Sequence, residues 1–190
     1  MENRFNIRRA IPSDVPAIEA LIGLSVRALQ IQDYSQTQIE GALGTVLGVD
    51  SQLIADGTYL VLEAVLDDGK AAIVGCGGWS KRKTLFGGDR ASGREDGLLD
   101  PLRDSAKIRA LFVHPDWARR GIGSRILTAC ESAASEAGFR SFELGATLTG
   151  ERLFRARGYA PIERIGVPLA NGASLPVIRM SKNASKAAGL

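Results

Sequence analysis

The sequence predicts an α/β (α+β layered) domain built on a central, mostly antiparallel mixed sheet of about six or seven strands, with helices on both faces. Three observations predict it. Two stretches of helical periodicity follow a short opening strand. Three strand-like runs between residues 58 and 115 then form a meander. Finally, residues 107–147 read strand, helix, strand, the crossover that a parallel pair requires.

In order, residues 4–10 alternate with Phe5 and Ile7 on one side, a first strand. Pro12-Ser13-Asp14 is a turn, after which Val15, Ile18, Leu21, Ile22, Ser25 and Val26 recur at helical spacing, so a helix runs to about Leu29. Ser35 and Gln38 form an S-x-x-Q capping box that opens a second helix with Ile39, Leu43 and Val46 on its apolar face. Residues 58–66 and 71–80 are strands joined by an Asp67-Asp68-Gly69-Lys70 hairpin turn. Residues 81–106 are polar, rich in Gly, Arg and Asp, and without period: a long, mobile excursion of the functional or disordered kind.

Residues 107–115 form a strand ended by Pro115. Residues 121–137 are helical with Gly138 as C-cap. Residues 140–147 form a strand, about 149–157 a short helix, and 159–167 with 174–180 a terminal hairpin around Asn171-Gly172. The expected organisation is one domain over 1–182, with a frayed tail at 183–190 that has little to bury.

Composition narrows the function classes. The 190 residues are 45% hydrophobic and 24% charged, with net charge +3, which suits one soluble globular domain. No run approaches the ~18–20 apolar residues of a membrane helix. The first thirty residues carry Glu2, Arg4, Arg8, Arg9, Asp14 and Glu19 and so lack the apolar core of a secretory signal. Cys76 and Cys130 have no ligand spacing, and His114 is the lone histidine, which argues against a disulfide framework and any metal site. A cytoplasmic protein without membrane or nucleic-acid partners is expected. The basic clusters Lys81-Arg82-Lys83 and Arg152, Arg155, Arg157 read as solvated surface, because no aromatic stacking pattern accompanies them.

The stretch that carries chemistry is 107–125, K-I-R-A-L-F-V-H-P-D-W-A-R-R-G-I-G-S-R. A strand feeds a basic turn, and two glycines open a helix. The first turn of a helix has unpaired N–H groups and a partial positive charge. Glycines let an anion approach them, and Arg119 and Arg120 add charge at the rim. The Walker pattern is absent. The dinucleotide fingerprint is incomplete, because Ile126 stands where its third glycine belongs.

In this context the stretch resembles the GNAT superfamily of N-acetyltransferases, whose signature is Q/R-x-x-G-x-G/A after an L-x-V-x-P strand. Leu111, Val113 and Pro115 match the strand, and Gly121 and Gly123 match the glycines. Ala118 stands at the first signature position, a departure that weakens an anion cradle made of main-chain donors without removing it. The resemblance extends over the N-terminal helices, the meander and the ending L-F-R-A-R-G-Y at 153–159. It implies acetyl-CoA as co-substrate and no metal. It places Leu111, Phe112 and Val113 along the pantetheine arm, Arg119, Arg120, Gly121, Ile122, Gly123 and Ser124 around the pyrophosphate, and Thr147 near the arm. A small-molecule amine as acceptor and a homodimer are in keeping with the family.

The family's usual chemistry is direct attack of a neutral amine on the thioester. Where members carry a basic glutamate this chain has Lys107, and where they carry an acidic tyrosine it has Phe154, which cannot donate a proton and reads as a core aromatic or as a neighbour of the cofactor. Glu63 and Glu143 remain as carboxylate candidates, each with a salt-bridged or solvated alternative. Tyr34, in the loop between the first helices, is the candidate replacement acid; water is the other, and Tyr159 reads as core. By period two, Lys107, Arg109, Leu111 and Val113 share a face, so Arg109 is a candidate for an acceptor carboxylate, with a structural salt bridge as alternative. Trp79 and the excursion are candidate walls of the acceptor site, and Trp79 equally reads as core. The competing function is a catalytically weak acetyl-CoA sensor or interaction module.

Overall fold

The computed structural model describes residues 5–184. Strand β1 (Phe5–Arg9) leads through a turn at Pro12–Asp14 into α1 (Val15–Leu29), which buries Ile18, Leu21, Ile22 and Val26 on one face. The capping box forms as its spacing predicts. Gln38 N donates to Ser35 Oγ at 3.2 Å, Ser35 N donates to Gln38 Oε1 at 2.9 Å, and α2 (Gln36–Ala42) begins there. It is shorter than its apolar pattern suggests. Leu43 is already extended and Gly44 has φ of 76°, so Val46 lies beyond the helix. A further short helix, α3 (Ser51–Ala55), was not anticipated; Asp50 caps it by accepting from Gln52 N at 3.1 Å.

The meander is β2 (Tyr59–Val65), β3 (Ala71–Ser80) and β4 (Ala106–Val113), and α4 (Ile122–Glu136) crosses to β5 (Ser141–Thr147). After α5 (Glu151–Ala156), strands β6 (Ala160–Pro168) and β7 (Ser174–Asn183) form the terminal hairpin. The seven strands lie in the order β1-β2-β3-β4-β5-β7-β6, and β4–β5 is the one parallel neighbour pair among the described residues. Of the tail expected to fray at 183–190, Asn183 remains in β7, paired with Ser141; residues 185–190 lie outside the described residues.

Two apolar layers sandwich the sheet. One packs α1, α2 and α3 against Tyr59, Val61, Phe112 and Val177; the other packs α4 against Val74, Ile108, Phe142 and Leu144. Helix α4 sits close because β3 has no side chain at two positions. A Cβ on Gly75 would lie 2.6 Å from Ile122 Cγ2, and one on Gly77 2.8 Å from Ile126 Cγ2. Ile122 and Ile126 are thereby fully buried, each stabilising the fold by about 1.5–3 kcal/mol.

The excursion has no helix or strand between β3 and β4, as expected, yet it is pinned at several points. Lys83 N bonds Gly97 O, Thr84 N bonds Glu95 O, and Arg82 forks onto Asp56 with Nε–Oδ2 at 2.7 Å. Its Arg82 and Arg94 pair with Asp56 and Asp50, the residues that flank α3.

Candidate active site

The site begins with a defect in β4. Gly78 pairs with Arg109 and Cys76 with Phe112, so Gly77 stands opposite two residues, Ala110 and Leu111. This extra residue is a β-bulge, and Ala110 takes φ of 52° to make it. The bulge breaks the period-two reading. Arg109 stays on the α1–α3 side of the sheet, whereas Leu111 and Val113 turn to the α4 side, where both approach Gly123. Arg109 therefore does not share a face with Leu111 and Val113.

The bulge also ends strand pairing. β4 and β5 are bonded only at Ala106–Phe142 and Lys107–Glu143, and beyond them the strands part. The gap is a cleft of about 110 Å³. Its walls include Ile108 to Phe112 of β4, Leu144, Gly145 and Thr147 of β5, and Leu153 and Phe154 of α5. Past Lys107, the main-chain groups of β4 that face β5 have no strand partner, an edge suited to pairing with an extended ligand.

The turn into α4 adjoins this cleft through Gly123, where a Cβ would lie 3.0 Å from Leu153 Cδ2 and 3.6 Å from Leu111 Cδ2, both cleft walls. Arg119 has φ of 64° and Gly121 φ of 80°. Among the described residues, no acceptor in the chain takes the N–H groups of residues 119–124; the first bond of the helix is Arg125 N to Gly121 O at 3.0 Å. A Cβ on Gly121 would meet nothing within 4 Å, so space lies open before these donors. Ile122 contributes its main chain alone, its side chain being buried under β3. The Arg120 guanidinium stacks 4.8 Å from the Trp117 ring centroid, and Arg157 Nε donates to Ser124 Oγ at 3.1 Å, so fixed positive charge flanks the opening. Consecutive free N–H groups at a helix N-terminus with arginines beside them are suited to a phosphate.

Thr147 and Phe154 both line the cleft, and Thr147 Oγ1 accepts from Gly150 N at 3.1 Å. Phe154 packs edge-on to Tyr159 with centroids 5.8 Å apart. Three residues of the excursion, Leu85, Phe86 and Gly87, close the cleft opposite.

Other candidates sit elsewhere. Glu63 is on β2, two strands from β4, and is tied to Arg8 at 2.8 Å and to Asn6, so it is a structural ion pair and not a base at the cleft. Trp79 points into the α4 layer, edge-on to Phe139 at 6.0 Å, and is core rather than acceptor wall. The Tyr34 hydroxyl donates to Pro176 O at 2.7 Å and accepts from Leu148 N at 2.8 Å. Burial pushes its phenol up to about 12. Both bonding capacities are spent on joining the α1–α2 loop to β7 and to the turn before α5. Glu143 is held by Lys107 and, at 2.5 Å, by Arg179. Burial raises its pKa, but hydrogen bonds and charge from those two cations outweigh burial and keep it below the usual carboxylate range. Tyr159 donates to Glu131 and is core.

Arg109 has a salt bridge: its Nη2 lies 2.7 Å from Asp50 Oδ2 and also donates to Gly87 O. Burial lowers the Arg109 pKa, and the Asp50 charge opposes that. Three participants here escaped the sequence reading. Asp50 carried one signal, its place before a short apolar helix; Arg94, in the periodless excursion, carried none. Tyr59 reads only as a strand residue, yet its hydroxyl holds the Ala110 carbonyl at 3.3 Å.

The comparisons with known proteins follow this geometry. The acetyltransferase (GNAT) domain family matches residues 90–183, the segment from within the excursion through β7. The chain carries a GNAT acetyltransferase domain. Solved GNAT structures share its fold. A GCN5-related N-acetyltransferase from Rhodopseudomonas palustris is 24% identical, with TM-score 0.68, over 97% of this chain and 98% of that one. The PaiA N-acetyltransferase from Thermoplasma acidophilum, in complex with coenzyme A, is 13% identical with TM-score 0.64 over 97% and 100%. The putative acetyltransferase yncA from Salmonella typhimurium, with acetyl-CoA, is 16% identical with TM-score 0.59 over 98% of each. No curated protein sequence matches the chain. Among the described residues of this GNAT domain, no group of three or more His, Cys, Asp or Glu is placed to hold a metal ion. No helix among them is long and apolar enough to cross a membrane.

Proposed function

We propose that the protein transfers the acetyl group of acetyl-CoA to the amine of a small molecule. The observation that carries the proposal is that the parted β4–β5 edge adjoins the free N–H groups of residues 119–124 where Gly123 meets Leu111 and Leu153. The residues fit the coenzyme. The main-chain donors and Arg119 and Arg120 would take the diphosphate, the edge at Leu111, Phe112 and Val113 would pair with the pantetheine amides, and Thr147 and Phe154 would flank the arm. That relatives of this fold were crystallised with coenzyme A or acetyl-CoA supports the same assignment.

The bound coenzyme supplies a thioester, at which the amine nitrogen bonds to the acetyl carbon, the C–S bond breaks and the sulfur leaves as thiolate. The amine gives up one proton to reach its neutral form and another on forming the amide, and water takes both. The chain's part is positioning. The cleft aligns donor and acceptor, and its apolar walls at Phe86, Leu144, Leu153 and Phe154 exclude bulk water. The described residues that line the cleft include no tyrosine, cysteine or histidine to protonate the sulfur. A thiol of pKa ~8.5 leaving at pH 7 without an acid costs about 2 kcal/mol, which slows transfer without preventing it.

Calorimetry with coenzyme A, paired with thiol release across an amine panel, tests the proposal. Micromolar binding with amine-dependent thiol release supports it. Tight binding with only amine-independent background favours the sensor, and no binding at millimolar coenzyme removes both readings.

A further inference from the structure

Three buried side-chain polar atoms among the described residues lack a hydrogen-bond partner: Gln30 Oε1, Asp50 Oδ2 and Arg109 Nε. Asp50 Oδ2 has the Arg109 ion pair. The other two belong to residues lining the same cleft, Gln30 from the end of α1 and Arg109 from β4 just before the bulge. An unmet buried donor or acceptor costs about 1–3 kcal/mol, so two on residues that line one cavity point to a ligand that satisfies them. The unmet groups are complementary: one donates from a cation, the other accepts an N–H.

The charge balance has the same sense. Arg109 is the one charged side chain among the described residues that line the cleft. Its side chain is 3% exposed and shares Asp50 with Arg94, whose Nη2 lies 3.1 Å from Asp50 Oδ1. Two guanidinium groups thus converge on one carboxylate. A second carboxylate that acts on Arg109, Asp89, is exposed and accepts from Ser51 N and Oγ at the start of α3. The Gly87 and Gly88 carbonyls satisfy further donors of the arginines but bring no charge.

Position selects the acceptor over the coenzyme as the ligand. The coenzyme's edge is the part of β4 after the bulge, whereas Arg109 lies before it and on the other side of the sheet from Leu111. We infer that the acceptor is a small amine bearing a carboxylate, with Arg109 taking the carboxylate through its free Nε–H and Gln30 Oε1 accepting from the attacking nitrogen. This inference rests on the acetyl-transfer reading and names its substrate class. Asp50 and Arg94 are positioning residues that hold the Arg109 guanidinium in place.

The test compares amino acids with their C-terminal amides as acceptors, read as kcat/KM from thiol release, with coenzyme A affinity measured separately. The wild-type protein is expected to favour at least one free acid over its amide by about 10- to 100-fold, the range of a hydrogen bond to a charged group. Arg109→Met is expected to bring that ratio to within about threefold of one, with coenzyme A still bound. Because Arg109→Met leaves Asp50 with one fewer partner, the pair Arg109→Met with Asp50→Asn, which removes both charges, is measured beside it. Equal turnover of acids and amides by wild type, or a preference that survives in both variants, overturns the inference while acetyl transfer stands. Coenzyme A binding without acetylation of any amine overturns the acetyl-transfer reading itself.

Discussion

The Tyr59 hydroxyl lies 3.3 Å from the Ala110 carbonyl, so a fully buried side chain of β2 holds the bulge of β4 from two strands away. It is also 3.3 Å from Cys76 Sγ on the intervening strand. A non-glycine residue at positive φ persists only where its surroundings hold it, and this contact is the polar part of that hold.

Tyr59→Phe is accordingly expected to destabilise the protein by about 1–3 kcal/mol, the cost of leaving a buried carbonyl poorly satisfied. For a chain of this length that lowers Tm by about 2–12 °C. Acetyl transfer should fall as well, because a relaxed bulge lets β4 and β5 approach each other. Calorimetric melting and turnover of the variant check both; an unchanged Tm would show that packing alone maintains the bulge.

The bulge also marks where the sequence stops being legible. Element order, the Ser35–Gln38 capping box and the glycine-opened helix at 121 are local signals, and each appears within a few residues of its expected place. Period two along β4 put Arg109 beside Leu111, but one inserted residue at Ala110 reversed every side chain after it. Nothing in K-I-R-A-L-F-V announces that insertion. Its causes are distant: the missing side chain of Gly77, where a Cβ would sit 3.3 Å from Leu111 Cα, and the hydroxyl of Tyr59. Glu63 and Trp79 take the structural alternatives the sequence left open beside the functional ones, a salt bridge and core packing. A strand pattern shows which side a residue faces, but not how many strands separate it from the cleft.

Phe154→Tyr is expected to increase turnover. The position lines the cleft, and a phenol of ordinary pKa ~10 would be protonated near pH 7 and able to donate to the leaving sulfur. General acid help is commonly worth 10²–10⁴-fold, and a site that evolved without it should recover about tenfold or more in kcat. Single-turnover measurement isolates the chemical step. No gain there would mean that expulsion of the thiolate does not limit the reaction.

Acid should loosen the excursion before it unfolds the sheet. The Arg82 hydrogen bond outweighs burial and holds the Asp56 carboxyl below its ordinary value. Its folded pKa is thus depressed relative to about 3.9 in the unfolded chain. Such a group stabilises the fold fully above that unfolded value, and the contribution is lost as pH falls through the lower folded one. Asp14, held down by Arg8, behaves the same way at the start of α1. Hydrogen exchange in residues 81–105 should therefore be steady from pH 7 to about 5, after correction for intrinsic rates, and accelerate below about pH 4. Asp56→Asn should show the loosened pattern already at pH 7. Equal protection in that variant and in wild type would mean that the ladder of Lys83–Gly97 and Thr84–Glu95 bonds is enough to hold the loop.

The two glycines of the α4 turn should fail differently. Gly121 has φ of 80° with open space around its missing side chain, so Gly121→Ala meets no clash but pays a left-handed backbone strain of about 1–2 kcal/mol. The chain can relieve that strain only by rotating the peptide planes whose N–H groups are proposed to take the diphosphate. Gly123 is helical, and a Cβ there would lie 3.0 Å from Leu153 Cδ2, the far end of a side chain able to shift. Gly121→Ala should thus weaken coenzyme A binding by about tenfold, the equivalent of about 1.4 kcal/mol, and lower Tm. Gly123→Ala should cost less than about threefold in affinity. Calorimetric titration of both variants against coenzyme A decides the matter. Equal losses would place the binding energy in the arginines and in the strand edge, and take it away from the conformation of the turn.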